Sequence, residues 1–255
     1  EIDGQGSQFI FHGYVNPFIL DRSKNITLKN FSIDFERTFH SEALILKNHE
    51  RGLDVEIPRQ FPYKIQNGIL VFTDGDTGVE RKTTTTSRQV YFPYGSLLEY
   101  NSQKRETAFM VNDYWVPSGL SAEPLGDRKV RLLMTRLRGT PGNVLVFGPL
   151  YRQIPGITIS DCNGVTLDSV TIYHCGGMGV IAQRSGNILL DRVTVTPLPN
   201  SKRMISVTAD ATHFVNCFGK IEMRYCLFEN QIDDPSNIHG IYAKIIRQPK
   251  EDEII

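Results

Sequence analysis

The sequence has little of what marks several common protein classes. No segment repeats apolar residues with the helical period, which argues against a helical bundle. No run approaches the ~18 apolar residues that a membrane-spanning helix needs. The 28 basic and 28 acidic residues leave a formal net charge of zero. The charge balance therefore offers no argument for a nucleic acid or an anionic membrane as a partner.

Cysteine is scarce as well. The chain of 255 residues has four cysteines, which are Cys162, Cys175, Cys217 and Cys226. They show neither paired spacing nor the histidine pattern of a zinc site. We interpret them as small buried apolar side chains, and their placement does not ask for disulfides. No ligand cluster argues for a metal, although a few carboxylates could hold a calcium ion, and no cofactor is predicted.

What the sequence does contain is a repeated spacing of apolar residues. Steps of two, three and two recur, and a second short strand precedes each unit by eight residues. The alternation predicts β-strands, and the 23 residues from Val165 to Ile188 predict units that stack on one another. The sequence therefore predicts an all-β fold, a right-handed parallel β-helix, in preference to a β-sandwich with chance similarity. The units are Ile26-Leu28-Phe31-Ile33, Val165-Leu167-Val170-Ile172, Ile188-Leu190-Val193-Val195 and Ile221-Met223-Cys226-Phe228.

The repeat is interrupted for about a hundred residues. We predict that residues 1–46 and 153–255 form the parallel β-helix and that residues 47–152 form an inserted antiparallel β-barrel domain. Trp115, the single tryptophan, lies in the insert beside Tyr114. It is either a platform for a sugar ring or, as we favour, a core anchor of the small domain. Because neither end resembles a solenoid cap, we expect coils to be missing at one or both ends.

Three aspartates near the end of the chain carry the functional prediction. The offset of eight residues predicts that a strand begins at His213, with Asp210 in the turn before it. The likeness of His239-Gly240 to Met178-Gly179 predicts that Asp233 and Asp234 also precede a strand. Since successive coils stack about 4.8 Å apart, the aspartates should line one corner of neighbouring coils.

The surroundings of these carboxylates favour catalysis over an ordinary turn. Glycines at 176, 177 and 179 predict an open floor at the same corner of the preceding coil. Asp233 and Asp234 are adjacent, and close carboxylates raise the pKa of one member, which suits a general acid. Taken singly, each aspartate is also a common turn residue, so their joint placement carries the prediction.

The order of these motifs resembles known glycosidases. Asp210, then Asp233-Asp234, then His239-Gly240 is similar to the polygalacturonases of glycoside hydrolase family 28, although Thr208-Ala209-Asp210 departs from their Asn-Thr-Asp. The whole chain more closely resembles the α-1,3-galactosidases of glycoside hydrolase family 110. The segments that carry this resemblance are Ile2-Asp-Gly-Gln-Gly-Ser, Asp34-Phe-Glu-Arg-Thr38, Thr208-Ala-Asp-Ala-Thr-His-Phe214 and Asn230-Gln-Ile-Asp-Asp-Pro-Ser-Asn-Ile-His-Gly240.

The resemblance implies a bacterial exo-enzyme, secreted or periplasmic, that removes terminal α-1,3-linked galactose from a glycan with inversion. Members are longer than this chain, and a homodimer is compatible with the resemblance. Asp233 would protonate the leaving oxygen, while Asp210 and Asp234 would hold and deprotonate water. Inversion requires an acid–base separation of roughly 6.5–9.5 Å, whereas about 5 Å favours retention.

Other polar residues are weaker candidates for binding the sugar. We predict that substrate contacts come from the histidines, an amide, the charges after the first coil and the tryptophan. His213 is alternatively a core histidine, and the charges are alternatively solvated. Three competing functions remain, a non-catalytic carbohydrate-binding β-helix, a polygalacturonase-like hydrolase and a polysaccharide lyase. The candidates are His213, His239, Asn230, Glu36, Arg37, Glu42 and Trp115.

Overall fold

A computed structural model describes residues 1–75, 90–242, 244–247 and 250–252. In these ranges the chain forms strands and no helix, which confirms the all-β prediction. Accordingly, the described residues include no helix that could cross a membrane. The strands form two parallel sheets, one larger antiparallel sheet and a separate hairpin.

The first parallel sheet contains the repeated units that the spacing predicted. Its order is β1-β3-β15-β17-β20, and the short strands β18 and β21 continue β17 and β20. Leu28 pairs with Leu167, and Leu190 lies between Leu167 and Met223, so equivalent apolar residues stack in one line. The strands are β1 (Ile2–Phe11), β3 (Lys24–Phe35), β15 (Asn163–Ile172), β17 (Gly186–Asp191), β18 (Thr194–Val195), β20 (Phe218–Arg224) and β21 (Leu227–Phe228).

The second parallel sheet contains the strands that precede each unit. Its order is β2-β14-β16-β19-β22. Ile159 pairs with Leu20 on one side and Ala182 on the other, and Phe214 follows Ala182. This line of side chains packs into the same core as the first sheet. The strands are β2 (Phe18–Asp21), β14 (Ile157–Ser160), β16 (Val180–Gln183), β19 (Thr212–Val215) and β22 (Asn237–His239).

Small residues connect the two parallel sheets at a tight corner. The backbone N–H of Ser23 donates to Cys162 Sγ at 3.4 Å, and the N–H of Cys162 donates to Ser185 Oγ at 2.9 Å. Each corner side chain therefore caps a backbone group of the neighbouring turn. All four cysteines are free thiols; Cys162 and Cys175 are buried, as we interpreted them, whereas Cys217 and Cys226 are only partly buried.

The antiparallel sheet lies between the first and second repeat units in sequence. Its order is β10-β8-β13-β4-β5-β12-β11, with β9 beside β8. Within the described residues its edge strands β10 and β11 do not pair, so the closed barrel that we predicted is not seen. The strands are β4 (Ser41–His49), β5 (Gly52–Glu56), β8 (Tyr94–Asn101), β9 (Glu106–Thr107), β10 (Tyr114–Trp115), β11 (Ala122–Gly126), β12 (Lys129–Leu133) and β13 (Val144–Pro149), and the hairpin is β6 (Tyr63–Gln66) with β7 (Ile69–Phe72).

Candidate active site

The structure brings the three predicted aspartates together. One carboxylate oxygen each from Asp210, Asp233 and Asp234 lies within 4.8 Å of the other two. Such a group of carboxylates can supply both the acid and the base of glycoside hydrolysis. We therefore take this corner as the candidate active site.

A repeated backbone hydrogen bond explains why the aspartates meet. The N–H of Gly156 donates to Met178 O, that of Gly179 to Asp210 O, and that of Ala211 to Asp234 O, at 3.0, 2.9 and 2.9 Å. Met178, Asp210 and Asp234 thus occupy equivalent positions in successive turns. Asp233, one residue earlier, joins the group from the same turn as Asp234.

The three carboxylates have different surroundings. The side chain of Asp210 is only 6% exposed, and Oδ2 accepts a hydrogen bond from His213. Asp233 is 44% exposed and forms an ion pair with Arg152. Asp234 is exposed, and Asn237 Nδ2 donates to its Oδ2 at 3.3 Å. Different surroundings are what allow neighbouring carboxylates to take different roles.

The register of the two histidines corrects our prediction. We placed His213 at the start of its strand, but β19 begins at Thr212, and His213 pairs with Ile181. The following strand contains an extra residue, so that the offset of eight residues becomes nine. A shift of one residue moves a side chain to the other face, and His213 therefore points away from the apolar core toward Asp210.

His239 likewise lies within a strand and not in the turn before one. Asn237 pairs with His213, and His239 pairs with Val215, so this coil repeats after 24 residues. Our alignment of Gly240 with Gly179 was therefore wrong. The corrected register places His239 near His213, with their Nε2 atoms 2.9 Å apart.

The predicted glycine floor is also wrong. A Cβ atom built on Gly176 would lie 2.6 Å from the ring of Phe39, and one built on Gly177 would lie 2.9 Å from the carbonyl oxygen of Arg152. Both glycines are buried. They permit close packing of neighbouring segments and leave no open surface for a sugar.

Asn230 holds the acidic turn against the rest of the molecule. Its Nδ2 donates to the carbonyl oxygens of Met204 and Arg105 at 2.7 and 2.9 Å. These bonds use both amide hydrogens. The predicted contact of Asn230 with substrate therefore stays a prediction that involves its other atoms.

Two charged residues that follow the first repeat unit, Arg37 and Glu42, make contacts inside the protein. Arg37 donates to the carbonyl oxygens of Thr73 and His40 and lies 4.4 Å from the centroid of the Phe92 ring. Burial lowers its pKa to about 10. Burial raises the pKa of Glu42 to about 7, partly offset by the N–H of Met204. Neither side chain is in the aspartate group.

Glu36 lies in another cavity. It pairs with His12 at 2.8 Å, and both line a cleft of about 390 Å³ together with Arg203 and Phe61. The residues that line this cleft include none of the three aspartates. The predicted contact between Glu36 and a sugar at the aspartates has no support in this arrangement.

Trp115 is exposed, so our preferred interpretation of it as a core anchor is wrong. Its side chain is 63% exposed in β10. A Cβ atom built on Gly95 would lie 3.5 Å from the Trp115 ring and 2.8 Å from Leu150. Leu150 is two residues before Arg152, which pairs with Asp233. The alternative role, a platform for a sugar ring, fits this position.

Sequence reasoning missed two residues that contact the acidic turn. Arg152 pairs with Asp233 from the segment after β13, and Asn237 donates to Asp234 from β22. Asn237 lies within residues 230–240, a segment that carries the family resemblance, so the sequence offered it as a candidate. No local pattern marks Arg152, since its partner is 81 residues away.

The same carboxylates have oxygen spacing that would suit a cation. A cluster of acidic side chains is common without any ion, and we assign no metal to it. The chemistry that this arrangement offers is proton transfer by carboxylates to and from a substrate.

Comparison with known proteins agrees with this chemistry. Residues 41–145 match the family described as GLAA-B beta-barrel domain I. The chain is 36% identical over 252 residues to alpha-1,3-galactosidase A of Shewanella woodyi, covering 96% of this chain and 39% of that protein. It is 33% identical over 258 residues to an alpha-1,3-galactosidase B of Phocaeicola vulgatus, covering 100% and 40%.

A third similar protein has the same name. Alpha-1,3-galactosidase B of Bacteroides thetaiotaomicron is 32% identical over 246 residues, covering 96% of this chain and 39% of that protein. The resemblance to the α-1,3-galactosidases is confirmed. The chain spans about two fifths of the length of these relatives.

Proposed function

We propose that the protein is an exo-acting glycoside hydrolase that releases terminal α-1,3-linked galactose from glycans. The observation that carries this proposal is the meeting of Asp210, Asp233 and Asp234 at one corner of neighbouring coils. The similarity to proteins named alpha-1,3-galactosidase supplies the substrate. A galactose-terminated glycan is accordingly the proposed partner.

The proposed architecture places this site on a right-handed parallel β-helix. The two parallel sheets would be faces of the solenoid, formed by residues 1–46 and 153–255. Residues 47–152 would be the inserted domain, which the match to residues 41–145 and the antiparallel order support. The insert would lie against the acidic turn, because a Cβ atom built on Gly148 of β13 would lie 3.8 Å from the side chain of Ile232.

In the proposed reaction the bound sugar releases Asp233 from its ion pair with Arg152. Asp233 in its protonated form then gives its proton to the glycosidic oxygen as the bond to the anomeric carbon breaks. Water attacks that carbon, and a carboxylate of Asp210 or Asp234 takes the water proton. We propose inversion, because two carboxylates in equivalent positions can hold one water molecule between them and the sugar.

The carboxylate spacing is shorter than the inverting range, so inversion requires the carboxylate of Asp233 to move when the sugar binds. The nearest oxygens lie within 4.8 Å of one another, which is closer to the separation of about 5–5.5 Å in retaining enzymes than to the inverting range. Asp233 is half-exposed and held by Arg152, so a bound sugar can displace its carboxylate. The anomer of the product decides between the two.

The test is hydrolysis of an α-1,3-linked galactose disaccharide by the full-length protein, followed by proton NMR from the first turnover. Free galactose that appears first as the β-anomer supports the proposal, and the α-anomer first shows retention. Binding of the disaccharide without release of galactose would favour a carbohydrate-binding module. An unsaturated product that absorbs in the ultraviolet would indicate a lyase.

Location and assembly follow from the same proposal. We propose that the protein is secreted or periplasmic, since such an enzyme acts on extracellular glycans. A homodimer is proposed with it, and sedimentation of the full-length protein tests the assembly. Preference for branched or linear galactosides is a matter for the same hydrolysis assay.

A further inference from the structure

Two histidines form a hydrogen-bonded chain that ends on Asp210. His213 Nδ1 lies 2.5 Å from Asp210 Oδ2, and His213 Nε2 lies 2.9 Å from His239 Nε2. His239 Nδ1 lies 2.5 Å from the carbonyl oxygen of Gly240. Every ring nitrogen of the pair is thus engaged in a hydrogen bond.

Counting hydrogens along this chain shows that one proton is extra. A carbonyl oxygen only accepts, so His239 Nδ1 must carry a hydrogen toward Gly240. The contact between the two Nε2 atoms needs one hydrogen, and so does the contact with Asp210. An ionised aspartate and two neutral imidazoles supply two hydrogens, one fewer than these three contacts require, so the third is held by Asp210 or by the histidines. Imidazole is the stronger base in water, with a reference pKa of about 6.5 against about 3.9 for an aspartate, which places this hydrogen on the histidines.

We infer that His213 and His239 share one positive charge, which serves as the counter-ion of Asp210 and makes Asp210 the general base of the reaction. The inference rests on the proposed function, because a base is needed only if the site hydrolyses its ligand. The histidines are positioning residues in this scheme, since they act through the aspartate.

The low solvent exposure of His213 and Asp210 strengthens the attraction between the shared positive charge and the carboxylate. The side chains of His213 and Asp210 are 13% and 6% exposed, so water screens their attraction poorly. His239 completes the arrangement by stacking on Tyr242, with ring centroids 6.2 Å apart. A fixed cation in this position holds the carboxylate in its charged form, which is the form that accepts a proton.

The charged groups around the histidine pair are few among the described residues. Strand β16, which pairs with β19, contains only uncharged residues beside His213. On the other side Asn237 is the ladder neighbour and links to Asp234. The titratable groups near the pair among these contacts are Asp210, Tyr242 and, through the aspartate group, Asp233 and Asp234.

The three aspartates differ in their side-chain partners, and this difference separates their roles. Asp234 accepts a hydrogen bond from the side-chain amide of Asn237. Asp233 pairs with the exposed Arg152. In the reaction the water oxygen bonds to the anomeric carbon and its proton passes to Asp210. The leaving oxygen keeps the electron pair of the broken bond and takes the proton of Asp233, while Asp234 orients the water.

The activity test is the pH profile of kcat/KM for the full-length His239→Gln variant. Glutamine can donate one hydrogen bond but cannot carry the shared charge. We expect the acidic limb of the profile to move to higher pH, because the base loses the fixed positive charge beside it. KM should change little. His49→Gln is the matched control, because His49 lies in β4 and bonds to the N–H of Arg51.

An unshifted acidic limb in an active, folded His239→Gln variant overturns the inference. Nitrogen-15 NMR of the histidine side chains in the wild-type protein tests the charge without any activity. We expect three ring hydrogens over the four nitrogens at about pH 7, and only two would overturn the inference. Absence of galactosidase activity in the wild type would instead refute the proposed function, and the NMR result would still decide the shared charge.

Discussion

Two polar clusters in this molecule contain the same kinds of residues and differ in their access to solvent. The aspartate cluster (Asp210, Asp233 and Asp234) lies in the turns before β19 and β22 and is partly open. The junction cluster lies between the parallel and antiparallel sheets, and we call it the closed cluster because its side chains are mostly buried, although Asp34 and Arg203 also line the cleft beside Glu36. Its members, Asp34, Arg37, His40, Glu42, His174 and Arg203, pair with one another or with backbone groups.

The side chains of the junction cluster join separate segments of the chain. Arg203 makes a two-pronged pair with Asp34 at 2.8 and 2.7 Å. Glu42 accepts from the N–H of Met204 at 2.7 Å and contacts His40 at 3.0 Å. These bonds join β3, β4 and the segment before Asp210. Removing one partner from the closed cluster would therefore leave a buried charge unpaired, which is strongly destabilising, whereas the exposed carboxylates of the open cluster are available to a substrate.

The largest expected effect is on the open cluster. Asp233→Asn should reduce galactose release by about a thousandfold, since general acid catalysis contributes roughly 10²–10⁴-fold. Stability should stay unchanged, because Asp233 is half-exposed. Steady-state kinetics and urea unfolding measure the two quantities. Asp127→Asn, in an exposed turn of the antiparallel sheet, is the control, and near-normal turnover in the Asp233 variant would refute its role.

The next effect is on the closed cluster. Arg203→Met leaves the buried carboxylate of Asp34 without its partner and should lower the free energy of unfolding by about 3–5 kcal/mol. Urea unfolding measures the loss. Arg22→Met removes a pair with Asp21 in which the arginine is 81% exposed, and it should cost less than about 1 kcal/mol. Equal losses in the two variants would contradict the distinction between the clusters.

A pH effect of moderate size separates the clusters further. The pKa of Glu42 is raised from 4.5 to about 7 by burial, so the folded state binds this proton more tightly. Stability is therefore highest below about pH 4.5 and falls by about 3 kcal/mol as the pH rises to about 7. Glu42→Gln should remove that dependence in urea unfolding at a series of pH values. The exposed Glu106→Gln variant should retain it.

The smallest expected effect concerns the insert. Trp115→Ala should change the free energy of unfolding by less than about 0.5 kcal/mol, because the side chain is 63% exposed. If the ring supports a sugar, KM should rise about threefold with kcat unchanged. Tyr151→Ala, another exposed aromatic, is the control. A large loss of stability would restore the core interpretation.

Much of the parallel architecture could be predicted from spacing. Strand pairing follows the predicted lines, as in Leu28, Leu167 and Leu190, because alternation is a local property of the chain. The acidic corner also followed, since Asp210 and Asp234 occupy equivalent turns. The offset rule failed at His213, where one extra residue in the next strand reversed the facing of the side chain.

The sequence by itself determined the all-β class, the stacked strands and the meeting of the aspartates, since each depends on periodic local spacing. Only the tertiary structure decided that Arg37 is half-buried and Glu42 buried, that Trp115 is exposed and that Arg152 pairs with Asp233. Burial and pairing depend on segments distant in sequence, and no local pattern records which of them will meet.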